Sequence, residues 1–322
     1  MNSRIQSVSV FAPATVANVG SAFDVLGLAL EAPGDTVTIR RTAEPVIRIA
    51  AISGDGGRLP RETEKNTASV SVEALINHCR SIAQDSYAFV GMDIYVEKGL
   101  PAGSGLGSSS ASAVAAVVAA NELLGSPLAR HELLPFAMKG EQIACGTAHA
   151  DNVAPCLLGG CILIRSYSPL DIITLPSPQN IWLAILCPAL ELSTFDSRRV
   201  LKRTVTLESA VSQWGNVAAL VAAIYRDDID LMGRALEDTI IEPERAPLIP
   251  GYQAAKGAAL AAGAAGCSIS GSGPSLFALC HSEEQAHHVN EAMQRAFSAA
   301  GISVTQHVSR VNRSGARIVA RG

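Results

Sequence analysis

Aromatic residues make up only 4% of the 322 residues, and charged residues only 17%. A core with so few rings must pack small aliphatic side chains, and a 48% hydrophobic content supplies enough to bury a large interior. The length allows two domains or one large one. None of the seven cysteines (positions 79, 145, 156, 161, 187, 267 and 280) forms a C-x-x-C pair, and their number is odd. That speaks against a zinc site and a disulfide framework, and for reduced, packed cysteines in a cytoplasmic protein. No apolar run reaches the ~18 residues of a membrane span. The Ala- and Gly-rich stretch 254–266 is interrupted by Lys256. The first twenty residues lack the apolar centre of a secretory signal. Net charge is −4 and no basic run reaches five residues, so neither a nucleic-acid nor a membrane partner is expected.

What the chain does have is "PAGSGLGSSSASAVAAVVAA" at 101–120. Gly103, Gly105 and Gly107 permit left-handed backbone and close approach of another molecule. Ser108, Ser109 and Ser110 are good helix caps, and Ala and Val follow. Such a loop gathers unpaired N–H groups at the positive end of a helix, which is a phosphate site. A plain glycine turn before a tightly packed helix fits the glycines equally well, and the serine hydroxyls favour phosphate. Two common loops are excluded. No lysine lies between Lys98 and Lys139, so there is no Walker A motif. The third glycine also comes one residue early for G-x-G-x-x-G. No G-x-S-x-G elbow surrounds the serines either.

Period-two patterns predict strands at 7–11, 35–41, 45–52 and 92–101, with a proline turn after the first. Further strands are expected at 159–167 and 181–188, on both sides of 267–280, and at 315–319. Helices are expected at 66–79, 109–124, 130–144, 207–226, 230–238, 252–262 and 283–301. The stretch "EPERAPLIPGYQ" reads as a loop. The proline- and serine-rich segment 166–180 reads as a linker, which gives lobes 1–165 and 166–322. The irregular order of strands and helices predicts an α+β fold.

Four other clusters stand out. Asn18 and Asp24 punctuate an apolar segment, where simple turn capping competes with binding. Glu141 precedes "HADNVAP", which crowds His149, Asp151 and Asn152; Glu141 is a hard oxygen donor suited to Mg²⁺. Arg198 and Arg245 lie in "TFDSRRV" and "EPERAP", where a carboxylate clamp competes with surface ion pairs. "SISGSGPS" forms a second glycine turn at Gly271, Ser272 and Gly273, which could hold an anion through backbone N–H groups.

The motifs "APATVANVGSAFDVLGLAL", "PAGSGLGSSSASA" and "GCSISGSGPSLFAL", in this order across the chain, resemble the three motifs of the GHMP kinases. "HADNVAP" and "EPERAPLIPG" are most similar to their homoserine kinase branch. The resemblance implies a two-lobed fold: a ribosomal-protein-like βαβ lobe with a left-handed crossover, then a ferredoxin-like lobe. It implies ATP and Mg²⁺, L-homoserine as substrate, a place in threonine biosynthesis, and a homodimer. It lays the ATP phosphates over Pro101, Gly103, Gly105, Leu106, Gly107, Ser108, Ser109 and Ser110, with Asn66 on the adenine side. Ser109 and Glu141 would take the metal. Arg198 and Arg245 would hold the substrate carboxylate, Asp24 and Asn18 its ammonium group, and His149 its hydroxyl. Gly271, Ser272 and Gly273 would close over the substrate. Asn152 stands in the region where mevalonate kinases and galactokinases carry an aspartate base, so no general base is expected. Cys145 and Cys156 flank the site and are expected only to pack. One departure from the family pattern is Ala22, where glycine is usual.

Overall fold

The computed structural model describes residues 5–82, 91–146 and 149–322. Strands β1 (Ser7–Ala17) and β2 (Leu26–Thr42) pair antiparallel. Strand β3 (Ile47–Ser53), helix α1 (Thr67–Ile82) and strand β4 (Gly91–Glu97) form a βαβ unit whose strands are parallel. Helices α2 (Ser108–Leu123), α3 (Leu134–Cys145) and α4 (Ala150–Leu158) follow, then the hairpin β5 (Cys161–Tyr167) and β6 (Leu170–Leu175). With the last strand of the chain, β11 (Arg317–Arg321), the order β11-β1-β2-β4-β3, with β5 on the first half of β2 and β6 beyond it, makes a seven-stranded sheet.

The second half begins with β7 (Trp182–Pro188) and continues through α5 (Thr194–Arg199), α6 (Leu207–Arg226), α7 (Ile229–Ala235), α8 (Glu242–Arg245) and α9 (Tyr252–Ala261). After them come β8 (Gly266–Ile269), β9 (Leu276–Cys280), α10 (Glu283–Ala299) and β10 (Val304–Ser309). These strands form a separate sheet in the order β10-β7-β9-β8, the interleaving of a ferredoxin-like sandwich. The last strand, β11 (Arg317–Arg321), returns to the first sheet beside β1.

Four expectations change. Strand β1 does not end before Pro13, because a register shift between Pro13 and Thr15 absorbs the missing N–H. Strand β2 starts nine residues earlier than its period-two stretch at 35, since its first half is buried and reads as a continuous apolar run. The segment expected to be a linker contains β6, and its prolines mark the turn at Pro169 and the stretch after Leu175; a division at 165/166 therefore falls within the β5–β6 hairpin. "EPERAPLIPG" coils into α8 and a short 3₁₀ turn, with Pro243 and Pro247 at tolerated first-turn positions.

The small-residue composition shows in the packing. Nearly every residue of α2 is buried, so the helix is apolar all round rather than amphipathic. Strand β7 alternates between two cores. Leu183, Ile185 and Cys187 face the main cluster, which is continuous with the first sheet; Ala184 and Leu186 face a second cluster under α9 and α10. Among the described residues no helix is long and apolar enough to cross a membrane.

Candidate active site

A cavity of about 380 Å³ lies between the lobes. One end is the glycine loop. Gly103, Gly105 and Gly107 all take φ between +68° and +79°, and Gly107 caps α2. A Cβ on Gly105 would lie 2.5 Å from the Ser270 carbonyl and 2.6 Å from that of Gly273, so the two glycine turns interlock. The Ser270 hydroxyl donates to the Gly105 carbonyl at 2.8 Å, and the Ser275 amide to Ser104 at 3.1 Å. Gly103 is looser, with its nearest foreign atom 3.5 Å away.

The three serines divide their work. Ser108 Oγ donates to the Leu100 carbonyl at 3.0 Å and ties the loop to its helix. Ser110 Oγ donates to Glu141 Oε2 at 2.9 Å. Ser109 is half-buried beside the cavity. Glu141 is buried and borders the cavity, so a hydroxyl and an oriented carboxylate sit at the loop.

Beneath the loop lies a buried ion pair. Lys98 bonds Asp35, and its ammonium also donates to the Ser108 carbonyl at 2.8 Å and to Ser112 Oγ at 2.9 Å. Asp35 further accepts from Ser112 and from the amides of Gly99 and Leu100. Burial pulls the Lys98 ammonium below its ordinary pKa, against the pull of Asp35. No motif flags this pair; the faint signals are a lysine directly before the loop and an aspartate opening an alternating strand.

At the other end Arg198 Nη2 donates to Asp24 Oδ1 at 2.6 Å and lies 3.1 Å from His149 Nδ1. Arg245 is buried, with Nη1 donating to the Gly271 carbonyl at 2.8 Å and Nε to that of Ser197 at 3.3 Å. Both guanidinium groups lie over the Phe23 ring, at 5.2 Å and 5.0 Å, a stacking role that its place in the first motif does not reveal. Burial, then the neighbouring Arg198, brings Arg245 down to about 10. The same two causes depress His149, which is therefore neutral at pH 7. Asp151 is raised to about 7 by burial and then by Asp24, and its Oδ1 is buried without a hydrogen-bond partner. Asn152 Oδ1 accepts from Thr15 Oγ1 at 2.7 Å.

Of the residues expected at the site, Asn18, Asp24, Asn66, Gly103, Gly105, Gly107, Ser108, Ser109, Glu141, His149, Asn152, Arg198, Arg245, Gly271 and Ser272 border this one cavity. Pro101, Leu106, Ser110 and Gly273 do not. Leu106 points into the core and Ser110 is buried behind Glu141. Gly273 faces Ile249, Ile269 and Leu192, and Pro101 is exposed. Two residues border the cavity with their amides already engaged. Asn66 caps α1 through Oδ1 and gives Nδ2 to the Pro60 carbonyl. Asn18 joins the Asp24 amide to the Gly271 carbonyl. Ala22 is fully buried and is not among the left-handed residues of its turn, which are Asn18, Val19, Gly20 and Asp24, so the position does not need glycine. Cys156 is buried, and its thiol is raised well above the usual range by burial. The side chain of Cys145 lies outside the described residues.

A family model described as the GHMP kinases N terminal domain matches residues 71–160, and one described as GHMP kinases C terminal matches 220–299. A homoserine kinase of Chlorobium phaeovibrioides is 49% identical, covering 98% of this chain and all of its own length. One from Xylella fastidiosa is 43% identical over 96% of this chain and 93% of its own. The crystal structure of homoserine kinase from Cytophaga hutchinsonii superposes with a TM-score of 0.94 at 49% identity, covering 99% of both chains. L. major mevalonate kinase, solved with R-mevalonate, shares the fold at 15% identity, covering 94% of this chain and 95% of its own, with a TM-score of 0.71.

Proposed function

The chain belongs to the homoserine kinase family of the GHMP kinases, and from that premise we propose how its residues transfer the γ-phosphoryl group of ATP to the side-chain hydroxyl of L-homoserine. The observation that carries the assignment of parts is the cavity itself: a phosphate-type loop at one end, and facing charges for a zwitterion at the other.

The triphosphate lies along Gly103–Ser109 at the N-terminus of α2, where backbone N–H groups and the helix dipole favour anions. Pro101, Leu106 and Ser110 support this loop from behind. Ser109 and Glu141 fit a Mg²⁺ ion: both are hard oxygen donors, and the Glu141 carboxylate is held in place by Ser110. When bound, that ion would neutralise charge developing on the transferred phosphoryl group. Asn66 forms part of the wall on the adenine side by shape, its amide being engaged elsewhere.

Homoserine carries a carboxylate and an ammonium on one carbon. Asp24 takes the ammonium, and Arg198 takes the carboxylate with Arg245 behind it. The substrate thereby replaces the direct Arg198–Asp24 ion pair with two pairs of its own. Asn18 latches the Asp24 turn onto the second glycine turn, and Ser272 borders the same pocket. His149, neutral, and the Asn152 amide orient the hydroxyl. An amide held by Thr15 cannot take a proton, so positioning and charge neutralisation carry the rate, and the hydroxyl proton leaves with the γ-phosphate.

An ATP-to-ADP coupled assay with Mg²⁺ tests this on L-homoserine, L-serine, mevalonate and galactose. Turnover confined to L-homoserine is expected. Turnover on mevalonate, which has no ammonium group, would remove the role given to Asp24.

A further inference from the structure

Three of the four buried residues of α6 are apolar, and the fourth is Gln213. Leu220, Ala223 and Ile224 join the core shared by both lobes. A glutamine amide in such surroundings is unfavourable unless its donors and acceptors are met. Here they all are. Nε2 donates to the Ser21 carbonyl at 2.7 Å and to Asp238 Oδ1 at 2.9 Å. Oε1 accepts from the Thr239 amide at 3.1 Å and from the Thr239 hydroxyl at 3.3 Å. A carbonyl and an ionised carboxylate only accept, and a backbone amide only donates, so these partners fix which way the side-chain amide points.

The same partners lie in the two turns that present charge to the pocket. Ser21 belongs to the turn at 18–24, which carries Phe23 and Asp24. That turn of the first lobe sits directly on the second: Ser21 Oγ donates to the Ala235 carbonyl at 2.8 Å, and a Cβ on Gly20 would lie 2.5 Å from the Leu236 carbonyl. Asp238 holds the start of α8, the single turn that ends in Arg245. Its Oδ1 accepts from the amides of Ile240 and Ile241, both at 2.9 Å, and its Oδ2 from that of Glu242 at 3.0 Å. One helical turn has no stability of its own in water, so this carboxylate anchors it. On the cavity side the two turns meet again, where Asn18 Nδ2 and Arg245 Nη1 both donate to the Gly271 carbonyl. Neither Gln213 nor Asp238 borders the cavity.

We infer that Gln213 is a positioning residue for the substrate: its amide sets the separation between the Asp24 turn and the Arg245 turn, and with it the spacing of the ammonium and carboxylate subsites. The inference rests on the roles given above to Asp24, Arg198 and Arg245. An α-amino acid carries both charges on one carbon, at a fixed spacing. A pocket that reads both must hold its own spacing as firmly, and Gln213 does so across the seam between the lobes. Phe23 travels with the Asp24 turn and stacks under both guanidinium groups, so a shift of the Ser21 carbonyl moves the arginine platform as well. The glycine loop that faces ATP is bonded to neither end of this amide.

Steady-state kinetics of the full chain with MgATP and L-homoserine test the inference. Gln213→Met keeps the side-chain length and removes its hydrogen bonds. The KM for homoserine should rise ~10- to 100-fold, while the KM for ATP stays within about twofold of the parent. Asp238→Asn, a milder change that keeps the shape and weakens the anchor of α8, should raise the same KM selectively. Leu220→Ala loosens the same buried face of α6 without touching either turn. It should lower the melting temperature and leave the homoserine KM near that of the parent. Thermal melts of all three check that they fold. An unchanged homoserine KM in both Gln213→Met and Asp238→Asn overturns the inference. So does a parallel rise in both KM values, or an equal rise in Leu220→Ala, since either would mean general softening. Arg198→Met separates this inference from its premise. If that variant also leaves the homoserine KM unchanged, the reading of the pocket falls with the inference; if it raises the KM and Gln213→Met does not, the inference alone falls.

Discussion

Asp151 has one carboxylate oxygen buried without a partner, beside Asp24, Arg198, Glu141, His149 and Tyr167. Its pKa is raised to about 7 by burial and by Asp24, so the native state keeps a proton that the unfolded chain releases near pH 4. Stability contributed at this position is therefore greatest at acid pH and falls as pH rises through about 7. Asp151→Asn keeps the shape without the charge. Its thermal stability relative to the parent should rise between pH 5 and pH 8. Only about two units separate pH 5 from the folded value of about 7, so at roughly 1.4 kcal/mol per pKa unit the gain is at most on the order of 3 kcal/mol. Equal melting differences at both pH values would contradict this. The same variant tests the chemistry. Without a general base its kcat should stay within about tenfold of the parent, whereas loss of a base costs ~10²–10⁴-fold. At the far side of the pocket, Arg198→Met removes a charged hydrogen bond of about 1.5–3 kcal/mol. The KM for homoserine should rise by ~10- to 100-fold while the KM for ATP stays put.

The two glycine turns act as one element, and their glycines are not equivalent. At Gly105 a methyl group meets two carbonyl oxygens of the opposite turn, whereas at Gly103 it meets nothing closer than 3.5 Å. Both positions have positive φ, which costs any other residue roughly 1–2 kcal/mol. Gly105→Ala should therefore lower the melting temperature more than Gly103→Ala, by pushing the turns apart. Gly103→Ala should chiefly raise the KM for ATP. Equal melting losses would show that backbone conformation, not the interlock, dominates. The buried Lys98–Asp35 pair underlies the same loop. Lys98→Met leaves a buried carboxylate uncompensated and should cost about 3–5 kcal/mol by denaturant unfolding. Adding Asp35→Leu to that variant should recover part of the loss. If the double variant is no more stable than the single one, the network's other hydrogen bonds, rather than the unpaired charge, set the cost.

At the scale of the molecule, the motifs and most of the helices are legible in the sequence because each rests on local spacing. The cap of α2 follows from the glycine loop itself, whereas Glu141 and Arg198 lie outside the three motifs, and their meeting with the loop and with Asp24 is legible only through the shared ligand the resemblance implies. The interlock of Gly105 with Ser270, the Lys98–Asp35 pair and the return of β11 to β1 are not legible, because each joins residues far apart in the chain with no periodic mark. The lobe boundary is obscured for the same reason, since proline density marks a hairpin as readily as a linker. These long-range joins bear on cooperativity. The main cluster runs from Val8 and Leu26 of the first sheet to Leu183, Ile185 and Phe277 of the second. Strand β11 then ties the end of the chain to its beginning. Lobes joined in this way cannot unfold one at a time without opening a shared core. The chain should therefore unfold in one transition in urea. Its two tryptophans, Trp182 and Trp214, both lie in second-lobe elements, so their fluorescence reports that lobe, while far-ultraviolet circular dichroism reports both. The two midpoints should coincide at a fixed protein concentration. If MgATP binds the glycine loop of the first lobe as proposed, it should move both together by the same amount, because ligand stabilisation is shared across one cooperative unit. A dichroism midpoint that rises with MgATP while the tryptophan midpoint stays fixed would mean that the lobes are energetically separate.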